Sequence, residues 1–136
     1  MRGRERNEVK ASKGETEMTK REKVYEKTGG HCAYCGCELK KGWHIDHVKP
    51  IYRGDTRDYY KCKGTDDIGN MLPSCPSCNL YKSTMPLETF RRMIANTVNS
   101  SKKYTCVSIA LRYGLLEETG KKVKFYFEET GKCLKK

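Results

Sequence analysis

No apolar run in the chain approaches the roughly 18 residues that a membrane-crossing helix needs, and no signal-peptide hydrophobic stretch follows its basic start. Those two absences exclude a helical membrane span and argue against export. Apolar residues are scarce throughout: hydrophobic residues make up 36% and charged ones 33%, with a mean hydropathy of −0.85. A chain of 136 residues with that composition has room for one domain with a small core, and needs cross-linking beyond that core. Acidic residues are also in deficit. Seventeen Asp and Glu face 28 Lys and Arg, which leaves a net charge of +11 and a pI near 9.3. That balance favours a polyanionic partner, most simply nucleic acid. There is no internal repeat and no low-complexity tract, so the organisation has to be read from motifs.

What the chain does have is cysteine. Of its eight, four form the pairs Cys32-Ala33-Tyr34-Cys35 and Cys75-Pro76-Ser77-Cys78. In the reducing cytoplasm expected here, paired CxxC spacing reads as metal binding rather than disulfide formation. Each pair makes a tight knuckle with both sulfurs aimed at one ion, and two knuckles complete the tetrahedron of a structural Zn2+ at Cys32, Cys35, Cys75 and Cys78. A minimal zinc ribbon leaves about 15–20 residues between its pairs, whereas 39 lie between Cys35 and Cys75. The insert is long enough to carry something useful. Cys37 stands close enough to compete with Cys35 as ligand. Cys62, Cys106 and Cys133 have no paired spacing and read as ordinary residues.

Along the chain, residues 1–18 carry almost no large apolar side chains and read as a basic, flexible arm. Thr19-Lys20-Arg21-Glu22 has capping-box spacing, opening a short helix that stops at Gly29-Gly30. Leu39 to Ile51 reads as a hairpin-like segment turning at Lys40-Lys41-Gly42. From Tyr52 to Gly69 runs a long polar loop. Met71-Leu72-Pro73 is a short extended piece. Helices are expected from Pro76 or Ser77 through Tyr81, from Pro86 to about Val98, and over Val107 to Leu111, ending near Gly114. Val123-Lys124-Phe125-Tyr126-Phe127 reads as a strand.

Phosphodiester hydrolysis needs an activated water and stabilisation of charge building on the phosphate. A neutral imidazole is the natural proton acceptor near neutral pH, which makes His47 the candidate general base. A hard divalent ion such as Mg2+ prefers oxygen ligands and keeps several waters. Asp46 offers a carboxylate from a strand and Asn79 an amide oxygen from the facing helix, so the two can hold one Mg2+ or Mn2+. His44, two residues before Asp46, shares its strand face by period two; it reads either as a further metal or phosphate contact or as a polar strand residue. His31 reads as a surface residue.

Taken together, His44-Ile45-Asp46-His47-Val48-Lys49-Pro50, Ile68-Gly69-Asn70-Met71-Leu72 and Cys75-Pro76-Ser77-Cys78-Asn79-Leu80-Tyr81-Lys82 resemble an HNH endonuclease of the zinc-clamped type, over roughly residues 20–85. The resemblance implies an α+β fold: a small ββα-metal, treble-clef-like core held by the four-cysteine zinc site, with flanking helices and a C-terminal strand. The domain is then expected over residues 19–98, with residues 99–136 a helix/strand extension packing on it. It also implies that Asn70 orients the loop carrying the base rather than touching metal. Many zinc-clamped relatives have His where Asn79 stands; an amide oxygen suits Mg2+ or Mn2+ better than a softer ion.

DNA is the expected partner. Lys82 lies three residues after Asn79, where an ammonium and the helix N–H groups can seat a phosphate. Arg53 and Arg57 can reach flanking phosphates. Arg91, Arg92, Lys121, Lys122, Lys124, Lys132, Lys135 and Lys136 are read as raising the surrounding field. No recognition helix with flanking dimer elements is present, so a phage-packaging or other specificity-giving protein is a further expected partner, in a bacterial or phage setting. The competing reading is a non-catalytic zinc module that binds nucleic acid.

Overall fold

The computed structural model describes residues 17–51 and 64–131. Residues 1–16 of the expected arm, most of the polar loop with Arg53, Arg57 and Cys62, and Lys132, Cys133, Lys135 and Lys136 lie outside the described residues.

Helix α1 (Lys20–Glu26) begins as its sequence predicts. Thr19 accepts from the Glu22 N–H at 3.2 Å, and the Glu22 carboxylate takes the Thr19 N–H at 2.6 Å. It is stopped by Gly29 and Gly30, at φ 58° and 81°, a region glycine enters without a Cβ penalty. The turn delivers Cys32. Beyond it the chain turns back at Lys41-Gly42, but it does not form a local hairpin. The strand β1 (His44–His47) instead pairs antiparallel with β2 (Met71–Ser74), in the register His44↔Ser74, Asp46↔Leu72 and His47↔Met71. A 3-10 turn over Ile68–Asn70 leads into β2, and α2 (Pro76–Lys82) follows directly. Pro76 occupies the first helical position, where its missing N–H costs nothing. Cys75 is the N-cap, its Sγ accepting from the Cys78 N–H at 3.4 Å. The order β1–β2–α2 makes the fold α+β with a ββα centre.

Helices α3 (Leu87–Ser101) and α4 (Thr105–Arg112) match the helical expectations to within a few residues. The C-terminal strand is absent. Tyr126–Glu129 form a single helical turn, α5, and the residues before it are irregular. Val123, Phe125 and Phe127 alternate as side chains on one face of a strand do, but here they plug the core. Phe125 and Phe127 are buried while the Tyr126 and Phe127 N–H groups donate to the carbonyls of Tyr34 (3.0 Å) and Ala33 (2.9 Å). The Glu128 carboxylate folds back onto the Phe125 N–H at 2.9 Å, closing the turn. Arg91 latches this segment. It pairs with Glu88 and Glu128, donates to the Val123 carbonyl at 3.0 Å and lies 4.4 Å over the Phe125 ring. It is thus a docking residue rather than a source of diffuse field.

The core is small and aromatic. Phe90 from α3 stacks on Phe125 at 5.6 Å between centroids, and Tyr34 meets both rings edge-on at 5.5 and 5.3 Å. Cys32, Ala33, Leu39, Val48, Leu72 and Phe127 complete it. Both strands and the first knuckle therefore rest on one cluster, and that fixes where the site residues stand.

Candidate nuclease site

The two knuckles meet. The Sγ atoms of Cys32, Cys35, Cys75 and Cys78 all lie within 4.8 Å of one another, and those of Cys35 and Cys75 are 3.9 Å apart. A tetrahedron with ~2.3 Å metal–sulfur bonds has edges of about 3.8 Å, so the four-sulfur donor set fits a structural Zn2+. The Cys32 thiol is held down to about 4, first by a hydrogen bond from Cys78 and then, against burial, by backbone N–H groups of the knuckles. Cys78 is correspondingly pushed far up. Cys37 is exposed and lies outside the four-sulfur cluster, which includes Cys35. Its carbonyl instead accepts the Cys32 N–H at 2.8 Å and shapes the knuckle.

His47 ends β1 with its side chain 25% exposed. Its Nε2 lies 2.9 Å from Asp66 Oδ1, and Lys20 holds the other carboxylate oxygen at 3.0 Å. With Nε2–H donating to Asp66, Nδ1 is the nitrogen left to accept a proton. The Asp66 carboxyl sits below its ordinary value, first because of Lys20 and then because of His47. The backbone after His47 is clamped by Asn70. Its Oδ1 accepts the Lys49 N–H, its Nδ2 donates to the carbonyls of Lys49 and Thr65, all at 2.9 Å, and its own carbonyl takes the Val48 N–H at 2.9 Å. Gly64 makes that clamp possible, since a Cβ there would stand 1.9 Å from the Lys49 carbonyl oxygen. Lys27 braces the same turn from below by donating to the carbonyls of Ile68 and Met71.

Asp46 is buried with 6% of its side chain exposed, and one oxygen carries its contacts. Oδ2 accepts the Tyr34 hydroxyl and lies 3.0 Å from Lys82 Nζ. Lys82 also donates to the His47 carbonyl at 3.1 Å and is 0% exposed. This corrects the expectation that Lys82 seats a phosphate: it closes α2 as a buried counter-ion, with no path to DNA. Spacing of three residues does put Lys82 on the face of Asn79, but that face looks inward to β1. Asn79, half-buried, is carried on the same side. Burial raises the Asp46 carboxyl above its ordinary value, and Lys82 opposes that rise. Burial and the adjacent carboxylate drive the Tyr34 phenol far above the ordinary range. His44 is exposed at the start of β1, and His31 is half-buried against the Tyr126 ring at 5.4 Å.

Residues 32–84 match the family model described as HNH endonuclease. The chain carries an HNH domain. The match opens on Cys32 and includes every cysteine of the cluster, Asp46, His47, Asp66, Asn70, Asn79 and Lys82. No curated protein and no solved structure shows significant similarity to the chain. The HNH domain points to nuclease action on nucleic acid. Among the described residues, no helix is long and apolar enough to cross a membrane. Three partners in the HNH domain escaped the sequence reading: Asp66 on His47, and Tyr34 and Lys82 on Asp46. Each joins segments distant in sequence, and the one local signal was the carboxylate-rich run Asp66-Asp67.

Proposed function

We propose that this protein is a divalent-metal-dependent endonuclease that hydrolyses DNA phosphodiester bonds, nicking one strand or cutting both, with His47 as general base. The observation that carries the reading is the held imidazole, with Nε2 on Asp66 and the backbone beyond it fixed by Asn70. That arrangement presents Nδ1 to a water and gives the resulting imidazolium a carboxylate neighbour. Asp46 and Asn79 supply hard oxygen donors of the kind Mg2+ or Mn2+ takes, and Asp46 has one oxygen to which no described residue donates. When bound there, such an ion would offset charge building on the scissile phosphate. The net charge of +11 suits the polyanionic substrate.

One observation favours the second reading, a non-catalytic zinc module that binds nucleic acid: Asp46 is nearly enclosed and already faces a resident cation. Plasmid cleavage with Mg2+ or Mn2+ separates the two. The parent protein is expected to convert supercoiled DNA, EDTA to stop it, and His47→Ala to slow it about 10²–10⁴-fold. Asp66→Asn, which removes the carboxylate charge beside His47 but keeps an acceptor oxygen, is expected to slow it about tenfold or less. Cleavage by His47→Ala at the parental rate would sink the mechanism. Binding without any cleavage by either protein would leave the zinc-module reading standing.

A further inference from the structure

Tyr34 belongs to the first zinc knuckle by sequence and to the nuclease site by its hydroxyl. Its neighbours in the chain are Ala33, whose N–H donates to the Pro73 carbonyl at 2.8 Å, and Cys35, one of the four clustered thiols. Its own carbonyl accepts the Tyr126 N–H at 3.0 Å. The ring is wedged edge-on against Phe90 and Phe125, with Phe127 behind at 6.4 Å. A ring held on three sides and at its backbone has little freedom left, so its hydroxyl is a fixed donor.

That donor reaches Asp46 Oδ2, where Lys82 Nζ also converges at 3.0 Å. A carboxylate on a strand rotates readily about its last side-chain bond. Two donors from different directions on one oxygen stop that rotation and fix where the other oxygen points. No described residue donates to Oδ1. We propose that Tyr34 is a positioning residue that, with Lys82, grips Oδ2 of Asp46 and so aims Oδ1 at a divalent ion. The four-thiol clamp then shapes the nuclease site through one named bond as well as through the general fold. This inference rests on the proposed role of Asp46 as a ligand for that ion.

Tyr34→Phe removes one oxygen and keeps the ring, the knuckle and the aromatic packing. Mn2+ binding to zinc-loaded full-length protein, followed by electron paramagnetic resonance, reads the effect without any turnover. The expected result is one zinc per chain as in the parent, an unchanged Kd for plasmid DNA, and Mn2+ affinity weakened about tenfold, the usual scale for losing a ligand's supporting hydrogen bond. On an Asp46→Asn background the same substitution is expected to change Mn2+ affinity no further, because the effect passes through that carboxylate. Parental Mn2+ affinity in Tyr34→Phe would overturn the inference, as would an equal loss on both backgrounds. If the parent binds Mn2+ but cuts no DNA, the nuclease reading fails and the Mn2+ titrations still decide the role of Tyr34. A parent that binds no Mn2+ overturns both.

Discussion

Replacing Lys82 by methionine keeps an unbranched chain of similar length in a fully buried position and deletes the charge together with its hydrogen bond to the His47 carbonyl. The ammonium lies 3.0 Å from Asp46 Oδ2, with side chains 0% and 6% exposed. At that separation and an effective dielectric near 20, the lost attraction is about 5–6 kcal/mol. Asp46 has an escape, however, because it can take up a proton. From its ordinary value of 3.8, protonation at pH 7 costs about 4 kcal/mol, and that caps the damage. The expected loss is therefore about 3–4 kcal/mol, within the range for breaking a buried pair. In a domain of this size it corresponds to a fall in Tm of about 10–15 °C. The sign of the pH dependence follows from the same escape. The folded variant holds a proton that the unfolded chain releases, so its deficit relative to the parent is smaller at pH 6 than at pH 8, by up to about 1.4 kcal/mol per pH unit. Urea unfolding of zinc-loaded protein, followed by the single tryptophan, Trp43, measures both. Adding Asp46→Asn, which needs no proton, is expected to restore most of the loss. A deficit below about 1 kcal/mol, or no recovery in the double variant, would refute the buried pair.

Metal analysis is expected to find one zinc per chain, and stripping it to unfold the domain, since structural zinc contributes about 10–16 kcal/mol against a typical total stability of about 5–15; circular dichroism with and without chelator checks this. Gly64→Ala drives a Cβ to 1.9 Å from the Lys49 carbonyl oxygen and 2.7 Å from Asn70 Nδ2. It is expected to cost about 2–3 kcal/mol in urea unfolding and to slow cleavage by loosening the backbone after His47. Glu128→Gln weakens the Arg91 latch. The Glu128 carboxyl lies below its ordinary value of 4.5, chiefly because of Arg91, so its contribution is full above that value and fades as pH falls through the lower folded one. The variant is therefore expected to melt below the parent at pH 7, the gap narrowing under pH 4 as the parent's Glu128 takes up a proton. A constant gap would count against the latch.

The elements the sequence foretold are those with local causes. The Thr19–Glu22 capping box, the Gly29-Gly30 stop, the two knuckles and helices α2 to α4 each depend on residues within a turn or two. Residues 123–127 misled because alternate burial looks the same whether the backbone pairs with a strand or docks on a knuckle. Lys82 misled for a related reason: spacing gives the face it shares with Asn79 but not whether that face is turned to solvent or to β1. The hydrogen-bonded pair His47–Asp66 was legible only by half. His47 stood out by type and context, whereas Asp66, Tyr34 and Lys82 became meaningful once folding had joined segments far apart.

The plug formed by Phe125 and Phe127 has a consequence for the order of assembly. The knuckles, β1, β2 and α2 are complete in the first part of the chain, and zinc can close that long loop before the C-terminal residues arrive. The edge that receives Tyr126 and Phe127 then stays open, with Phe90 and Tyr34 bare, until the tail docks on the carbonyls of Ala33 and Tyr34. On a ribosome the nuclease centre would therefore be shaped early and sealed last. The exposed aromatic surface between those two moments is where misassembly would begin.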